Sequence, residues 1–146
     1  MICLQPVTVE NLGDFAGTSY DDMSREEKLA MIGESLRREH EGSYFELLAV
    51  CDGDRIVGFM NLCAHSAHII SISPEIKREL RARGYAFLGE TQALRYAAER
   101  GYTIAVAGVR EDNAASLALH RKLGFEEGAQ VLSRTGKPLR FCVRTL

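Results

Sequence analysis

RARGYA, residues 81–86, is the stretch that decides the fold prediction, because it joins a loop to a long helical pattern. The glycine at position 84 has no side chain, so the backbone around it can approach a ligand closely. The first N–H groups of a helix lack partners within the helix, and the helix dipole is positive at that end. The stretch therefore predicts an anion site, suited to a phosphate-bearing cofactor, at the start of a helix.

NAASLALHRKLGF, residues 113–125, predicts a second helix with both of its ends marked. Asn113 is a frequent type of helix N-cap, and Gly124 is a frequent type of residue just beyond a helix end. Asn113, Ser116 and His120 recur at i, i+3 and i+7, which places them on one helix face. An ordinary capped helix would show the same features, and RARGYA alone could be an ordinary loop and helix start.

Hydrophobic periodicity along the rest of the chain predicts strands and helices in the order β-α-β-β-β-α-β-α-β-β. Ser24 and Glu27 have the spacing of a capping box at the start of the first helix. Gly58 interrupts a predicted strand, which indicates a bulge or a close backbone contact, and Pro74 is expected to end another strand. Because hairpins and crossover helices are mixed, the order predicts an α+β fold with a single mixed, mostly antiparallel sheet flanked by helices. The predicted strands are residues 2–9, 44–50, 55–62, 68–73, 102–109, 129–135 and 139–145, and the predicted helices are residues 24–40, 84–100 and 113–123.

The composition is typical of one globular domain covering residues 1–146. Hydrophobic residues make up 46% of the chain, enough for a core of normal size, and the net charge of −2 gives no bulk attraction to nucleic acid or membranes. The apolar runs are strand-sized and the chain start lacks a signal-peptide pattern, so we expect a cytoplasmic protein. No CxxC pair is present, so we expect reduced thiols and no metal site at the four cysteines, Cys3, Cys51, Cys63 and Cys142.

The two stretches together resemble the GCN5-related N-acetyltransferase (GNAT) family, whose members use acetyl-CoA. The family's third strand commonly contains Ile or Val, any residue, and Gly, as residues 56–58 do. Its cofactor motif is an apolar strand often ending in proline, then Arg or Gln, two residues, Gly, one residue, and Gly or Ala. The matching positions here are residues 70–73, Pro74, Arg81, Gly84 and Ala86.

The family's second motif is a strand valine followed by Asn, a small residue, a tyrosine and a basic-x-Gly-Phe ending. This chain differs from the family at two places. His120 stands where the family has its tyrosine, and seven positions lead from Pro74 to Arg81, more than is usual. The extra residues fall within 75–80 and are expected to form an extra turn. The matching positions of the second motif are Val109, Asn113, Ser116, His120, Lys122, Gly124 and Phe125.

The resemblance implies that acetyl-CoA is the co-substrate and that its pyrophosphate lies against the helix start at Gly84. The helix face through Asn113 and Ser116 would follow the pantetheine arm. A backbone N–H near Ile72 would hold the thioester oxygen as negative charge develops on it. Nearby arginines would add charge-assisted contacts to phosphates. The implied cofactor-binding residues are Ile70, Ser71, Ile72, Arg81, Arg83, Gly84, Tyr85, Ala86, Asn113 and Ser116.

Two histidines are candidates for the proton transfers that acetyl transfer requires. The family commonly uses its tyrosine to protonate the departing thiolate, and an imidazolium at His120 could do the same because imidazole titrates near ~6.5. His68 lies near the start of the strand where the family often carries a carboxylate, which makes it the candidate base. His65 is close in sequence, and Glu46 could face it across the sheet. Either catalytic candidate could instead have a structural role.

The function that this resemblance implies is transfer of an acetyl group from acetyl-CoA to a primary amine of an unidentified small molecule, peptide or protein. A non-catalytic CoA-binding or sensory module with the same fold is the alternative. A third hypothesis is an enzyme that modifies a macromolecule, whose phosphates could meet the basic residues 77–83. The segments expected to form the acceptor pocket, residues 13–42 and 64–67, match no motif. A second copy of the chain could pair with the C-terminal hairpin to form a homodimer.

Overall fold

One seven-stranded sheet organises the computed structural model, which describes residues 1–146. The strands are β1 (Ile2–Pro6), β2 (Phe45–Asp52), β3 (Arg55–Ala64), β4 (Ile69–Ile76), β5 (Ile104–Arg110), β6 (Glu126–Leu132) and β7 (Pro138–Thr145). The α-helices are α1 (Arg25–Arg37), α2 (Tyr85–Glu99) and α3 (Ala114–Lys122), and short 3-10 helices cover Val9–Phe15, Ser19–Asp22 and Arg78–Leu80. The strand order across the sheet is β1-β2-β3-β4-β5-β7-β6, with only β4 and β5 parallel. The prediction of an α+β fold with one mixed, mostly antiparallel sheet flanked by helices is confirmed.

Helix α1 begins at the capping box that the sequence predicted. The Ser24 hydroxyl accepts a hydrogen bond from the Glu27 N–H, and the Glu27 carboxylate accepts one from the Ser24 N–H. The helix ends at Arg37 rather than near His40. Arg38 adopts a left-handed conformation with φ of 58°, and its N–H bonds to carbonyls of the last turn. This conformation, more often seen at glycine, closes the helix before Gly42 is reached.

The sheet separates two hydrophobic layers, because successive residues of each strand point to opposite faces. On one face α1 and the first 3-10 helix pack on β2 and β3, and Phe15, Ile32 and Phe59 are fully buried there. On the other face α2 packs on β4 and β1, and Leu62 and Leu94 belong to that larger cluster. Helix α2 therefore lies firmly against the strand that the cofactor motif follows.

Strands β4 and β5 pair at one end only, and this leaves a gap in the middle of the sheet. Their parallel pairing runs from Ile69 opposite Ile104 to Ser71 opposite Val106. Beyond that point β4 continues along β3 to Ile76 without β5 beside it. Backbone groups on this unpaired edge of β4 are free to bond a ligand.

Pro74 does not end β4, so the sequence prediction for this residue is wrong. The strand continues to Ile76, and Pro74 lies opposite Met60 of β3. Because the Lys77 N–H bonds to the Val57 carbonyl, alternate residues, Pro74 among them, direct their backbone groups away from β3. Proline lacks an N–H, but at this position the missing donor faces the gap, where no sheet hydrogen bond is lost.

The prediction of a bulge or a close contact at Gly58 is confirmed on both counts. The β2–β3 register shifts beside it, since Val50 lies opposite Gly58 while Cys51 lies opposite Ile56. A Cβ atom on Gly58 would lie 2.5 Å from the Glu75 carbonyl oxygen and 2.8 Å from the Ile76 Cα. The backbones of β3 and β4 therefore approach each other in a way that only glycine permits.

We expect Gly58→Ala to lower the free energy of unfolding by about 1–3 kcal/mol, because backbone atoms rather than a flexible side chain must move. Gly13→Ala is the matched control, since nothing lies within 4 Å of a Cβ at that position. Its effect should stay within about 0.5 kcal/mol. Urea unfolding followed by circular dichroism measures both variants. Equal midpoints for the two variants would show that β3 and β4 have room at Gly58.

The four cysteines are free thiols. Cys51 and Cys142 are buried, whereas Cys3 and Cys63 are half-buried. No group of three or more His, Cys, Asp or Glu side chains is arranged so that it could hold a metal ion. None of the helices combines the length and the apolar character that crossing a bilayer requires.

Candidate cofactor site

A cleft of about 630 Å³ opens where α2 begins, and it lies between that helix, α3 and the end of β4. The gap between β4 and β5 accounts for its position, because Pro74 and Ile76 from the unpaired edge of β4 line it. Apolar side chains make up about half of the wall, and most of these come from the two helices. The structure thus brings six of the ten predicted cofactor-binding residues to one cleft, namely Arg81, Gly84, Tyr85, Ala86, Asn113 and Ser116.

The first turn of α2 presents unpaired N–H groups to this cleft. Gly84 is the N-cap, with φ of 85°, and no side chain caps the helix. The N–H groups of Tyr85, Ala86 and Phe87 donate to no protein acceptor, and no acidic residue stands in the first turn. Helix α1 differs, because its start has a complete capping box and two glutamates. The start of α2 therefore has the character of an anion site.

Basic side chains stand beside this helix start. The Arg81 Nε donates to the Ile76 carbonyl at 3.2 Å, and its guanidinium lies 3.6 Å from the Glu75 carboxylate. Arg81 lines the cleft, whereas Arg83 is exposed and lies outside the lining. Ala82 adopts a left-handed conformation with φ of 61°. A residue other than glycine adopts this conformation only at a small cost in energy. The loop is thus held in a turn that directs Arg81 toward the cleft.

The extra residues 75–80 extend β4 to Ile76 and then form the 3-10 helix Arg78–Leu80, so the expected extra turn is present. This segment contacts the chain before α1. The Arg78 N–H bonds to the Gly17 carbonyl, and the Glu75 carboxylate accepts from the Ser19 N–H at 2.8 Å. The insertion therefore joins the cofactor loop to the N-terminal part of the chain.

The other wall of the cleft is the helix that the second motif predicted. Asn113 caps α3, since its Oδ1 accepts from the Ser116 N–H at 3.1 Å. Its amide NH₂ donates to no protein group and is available to a ligand. Ser116 is half-buried and lines the cleft beside Ala115 and Leu119. Asn113 therefore caps the helix and also faces the cleft, so its position is compatible with both of the roles that the sequence left open.

The predicted β4 residues can reach a ligand only through their backbone. The side chains of Ile70 and Ile72 are buried in the main hydrophobic cluster, with exposed fractions of 0% and 1%. The Ser71 hydroxyl donates to the Cys63 carbonyl at 3.3 Å on the neighbouring strand. The expectation of a backbone donor near Ile72 is compatible with these positions, because the paired part of β4 ends at Ser71.

The structure places His120 behind the cleft wall rather than in it. It is 4% exposed and is not part of the cleft wall. Its Nδ1 lies 2.7 Å from the Ser116 carbonyl, its ring packs edge-on against Phe125, and its Nε2 lies 3.6 Å from Glu90 of α2. Glu90 is fully buried. The histidine that was expected to meet a thiolate directly therefore lies in the interior, beside a buried carboxylate of the neighbouring helix.

The pKa of His120 reflects this partner. Burial alone would lower the pKa, but the Glu90 carboxylate and the Ser116 carbonyl outweigh burial, so that the net shift is upward. The Glu90 carboxylate therefore favours the imidazolium form of His120 more than water would. The raised pKa of His120 stabilises the folded protein at pH values below about 6.5. This contribution to the free energy of unfolding is lost as the pH rises through the folded-state pKa.

We expect the free energy of unfolding to fall as pH rises above about 6.5 in the wild type, and to fall less in His120→Phe. His40 has a raised pKa through Glu34 and contributes in the same direction, so only the difference between the two proteins reports on His120. Urea unfolding at a series of pH values measures this difference. Parallel curves for the two proteins would contradict the ion pair.

His68 is exposed in the turn before β4, and the structure does not bring it to the cleft. Its carbonyl accepts from the N–H groups of Thr103 and Ile104. Pro74, at the cleft, lies about 20 Å further along the extended strand. This position does not favour His68 as the base, because β4 and β5 are still paired beside it and close the sheet there.

Glu46 does not face the histidines across the sheet, so that expectation is wrong. It is 3% exposed and accepts from the hydroxyls of Tyr44 and Tyr96 at 2.5 and 2.7 Å. Arg38 and Arg100 each lie 3.9 Å away. Burial and the hydrogen bond to Glu46 raise the pKa of Tyr44 well above its usual range. Glu46 is therefore a satisfied interior carboxylate at the far end of α2.

Three residues of the site region were missed by sequence reasoning. Glu90 is buried behind the cleft, Glu75 lines it, and Lys122 closes one side with its Nζ 4.1 Å above the centre of the Phe87 ring. Only Lys122 had a signal, since it fills the basic position of the second motif. A glutamate in an amphipathic helix normally faces solvent, so nothing in the sequence distinguishes Glu90.

Comparison with known proteins agrees with this geometry. The sequence profile of the acetyltransferase (GNAT) family matches residues 9–125, which is most of the chain. Curated protein sequences give no match. Many solved structures do match.

Three of these structures illustrate the similarity. A ribosomal-protein-alanine N-acetyltransferase from Brucella melitensis is 22% identical with a TM-score of 0.83, and the match covers 99% of both chains. A chimera of the Vibrio cholerae spermidine N-acetyltransferase SpeG and hSSAT is 14% identical with a TM-score of 0.84, over 98% of this chain and 95% of that one. A phosphinothricin acetyltransferase from Sinorhizobium meliloti, solved with acetyl-CoA, is 16% identical with a TM-score of 0.81, over 99% and 88%. At these identities the likeness establishes the fold.

Proposed function

Because the chain belongs to the acetyltransferase (GNAT) family, whose members take the acetyl group from acetyl-CoA, we propose that residues 1–146 form one N-acetyltransferase domain. The acceptor is a primary amine on a small molecule or a peptide. The observation that carries this proposal is the uncapped start of α2 at Gly84, open to a cleft with Arg81 beside it. A pyrophosphate placed there would accept the free N–H groups of the first turn.

The reaction needs little from the protein beyond positioning and proton transfer. The neutral amine attacks the thioester carbonyl, the carbonyl oxygen becomes negative, and the carbon–sulfur bond then breaks to release the CoA thiolate. A backbone N–H group on the free edge of β4 would hold that oxygen, which is worth a few kcal/mol in comparable sites. The amine loses a proton and the thiolate gains one, so the site must supply a route for each.

The acceptor would approach from the face of the sheet opposite α2. On that face β4 presents polar residues, since Ser73 is exposed and Glu75 follows two positions later. Asn61 of β3 lies beside Ser73, with its amide 3.5 Å from the Tyr20 hydroxyl. The gap between β4 and β5 would let an amine bound here reach a thioester on the other side.

A non-catalytic CoA-binding module is the second candidate, and one observation favours it. His120 is buried and does not stand in the cleft, so the family's tyrosine has no direct substitute at the wall. Release of free CoA thiol, measured against a panel of amines that includes spermidine and short basic peptides, separates the two candidates. Acetyl-CoA binding without release of thiol for any amine would favour the module.

We expect Arg81→Gln to raise the Kd for CoA by about tenfold or more, because a charge-assisted contact to phosphate is worth about 1.5–3 kcal/mol. Arg95→Gln on the exposed side of α2 removes the same charge away from the cleft and should leave the Kd unchanged. Titration calorimetry measures both variants. An equal effect of the two substitutions would show that only net charge matters and that Arg81 makes no contact.

Two expectations stay predictions. A homodimer through the C-terminal hairpin is supported by the exposure of every residue of β6, the strand at the edge of the sheet. A cytoplasmic location is supported by the four free cysteines.

A further inference from the structure

Three buried polar atoms behind the cleft have no hydrogen-bond partner. They are both carboxylate oxygens of Glu90 and the Nε2 of His120. Glu90 is 0% exposed and His120 is 4% exposed, so solvent does not satisfy these atoms. An unpaired polar group in a protein interior costs free energy, and a buried pair of this kind calls for a functional explanation.

The pair lies directly behind the walls of the cleft. On α2, Ala86 and Phe87 line the cleft, and Glu90 follows one turn later on the same face. On α3, Ser116 lines the cleft, and His120 follows one turn later on the same face. Glu90 is about 9 Å further along the helix axis than Gly84. The pair therefore closes the inner end of the cleft, at the opposite end from the anion site.

Ser116 connects this pair to the cleft. Its hydroxyl oxygen lies 3.4 Å from the His120 Nδ1, while its carbonyl oxygen lies 2.7 Å from the same atom. The Nδ1–H is shared unequally between these two oxygens, and the nearer carbonyl holds the ring in place. The longer contact joins the imidazole to a hydroxyl on the cleft wall.

We propose that Ser116, His120 and Glu90 form a proton relay that ends in the cleft and supplies the proton taken up by the departing CoA thiolate. The proposal rests on the proposed function. Ser116 is the member that would touch the reacting sulfur. His120 stores the proton behind it, and Glu90 is a positioning residue that acts through His120.

The proton count of the relay balances. The Ser116 O–H gives its proton to the thiolate and forms the S–H bond of CoA. The His120 Nδ1–H turns from the Ser116 carbonyl oxygen to the Ser116 hydroxyl oxygen and gives its proton to it, so the hydroxyl is restored and the imidazole becomes neutral. The neutral ring keeps its Nε2–H toward the Glu90 carboxyl group, which takes no part in the proton count. A proton from solvent, equal to the one that the amine loses, recharges the ring.

The groups around His120 favour a role in holding a proton over a purely structural role. From α2 the group that faces it is Glu90, and from the segment after α3 it is the apolar ring of Phe125. Glu90 is the one charged side chain paired with it. A purely structural role would be better served by two apolar side chains, which avoid the cost of desolvating two charges.

Ser116→Ala tests the hydroxyl. We expect kcat to fall by about a hundredfold, the size of a general-acid contribution, while the Kd for acetyl-CoA stays within about threefold. Ser116→Thr is the conservative control, and it should restore most of kcat because it keeps a hydroxyl. If Ser116→Ala leaves kcat unchanged, the relay is overturned.

Glu90→Gln tests the positioning residue with a readout that does not depend on a known acceptor. The neutral amide removes the charge that favours imidazolium, so the His120 pKa, followed by NMR of the imidazole carbons, should fall by at least about one unit. The basic limb of the pH–kcat profile should move to lower pH by the same amount, whereas Ser116→Ala should leave that limb in place.

The outcomes separate this inference from the proposed function. If no amine is acetylated but the His120 titration moves as stated, the acetyltransferase proposal fails and the Glu90–His120 link stands. If acetylation occurs and Glu90→Gln changes neither the titration nor the pH limb, the relay is wrong while the function holds. A loss of kcat in Glu90→Gln without any loss in Ser116→Ala would also overturn the relay, because the proton would then bypass the serine.

Discussion

Replacing His120 with phenylalanine is expected to lower kcat by at least about a hundredfold while the Kd for acetyl-CoA changes by less than about threefold. Phenylalanine has nearly the same shape, so the packing against Phe125 is kept. What disappears is the only titratable group one turn behind Ser116. Because His120 does not line the cleft, the substitution should change the Kd for acetyl-CoA only slightly.

His120→Tyr is the matched comparison for this experiment. Tyrosine is the residue that the family has at this position, and it carries a proton that can be donated. We expect it to keep more activity than the phenylalanine variant, with the basic limb of the pH–kcat profile moved upward because tyrosine titrates near ~10. Initial rates with saturating acetyl-CoA measure all three proteins. Full activity in His120→Phe would remove His120 from the reaction.

Removing Glu90 alone is expected to have the largest effect on stability. Glu90→Ala leaves His120 in the interior without its opposite charge and opens a cavity, and breaking a buried pair in this way costs about 3–5 kcal/mol. The loss should appear as a lower midpoint in urea at neutral pH. A loss below about 1 kcal/mol would contradict a buried ionised pair, since an exposed pair is worth no more than that.

The double variant Glu90→Leu with His120→Phe provides the control for that result. Apolar side chains of similar volume need no partners, so we expect the double variant to be at least as stable as the wild type within about 1 kcal/mol. It should nevertheless be as slow as His120→Phe alone. The double variant would then keep its stability and lose its turnover, as expected when a buried polar group is kept for function.

The elements of the fold could be predicted from the sequence because they follow local rules. Ser24 and Glu27 define a helix start because the side chain of each accepts from the backbone N–H of the other, three residues away, and Gly58 breaks a strand pattern in a way that indicates its close contact with β4. Pro74 could not be interpreted locally. Whether a proline ends a strand depends on which side its missing N–H faces, and that is known only when the neighbouring strand is placed.

The candidate site could be predicted from the sequence to about the same extent as the fold. The uncapped helix start at Gly84, where we propose an anion site, was visible in RARGYA, and the shared face of Asn113, Ser116 and His120 followed from helical periodicity. The burial of His120 depends on α2 packing beside it, and its partner Glu90 lies 30 positions earlier in the chain. Contacts between side chains of two different helices leave no mark on the local pattern of either.

Titration calorimetry of the wild-type protein with CoA tests whether the cofactor binds in this cleft. The proposed anion site and the proposed relay both require that it does. We expect binding with one site per chain and a Kd of about 1–100 μM, weakened by Arg81→Gln and unaffected by Arg95→Gln. No detectable binding at about 1 mM CoA, or binding that both substitutions weaken equally, would contradict it.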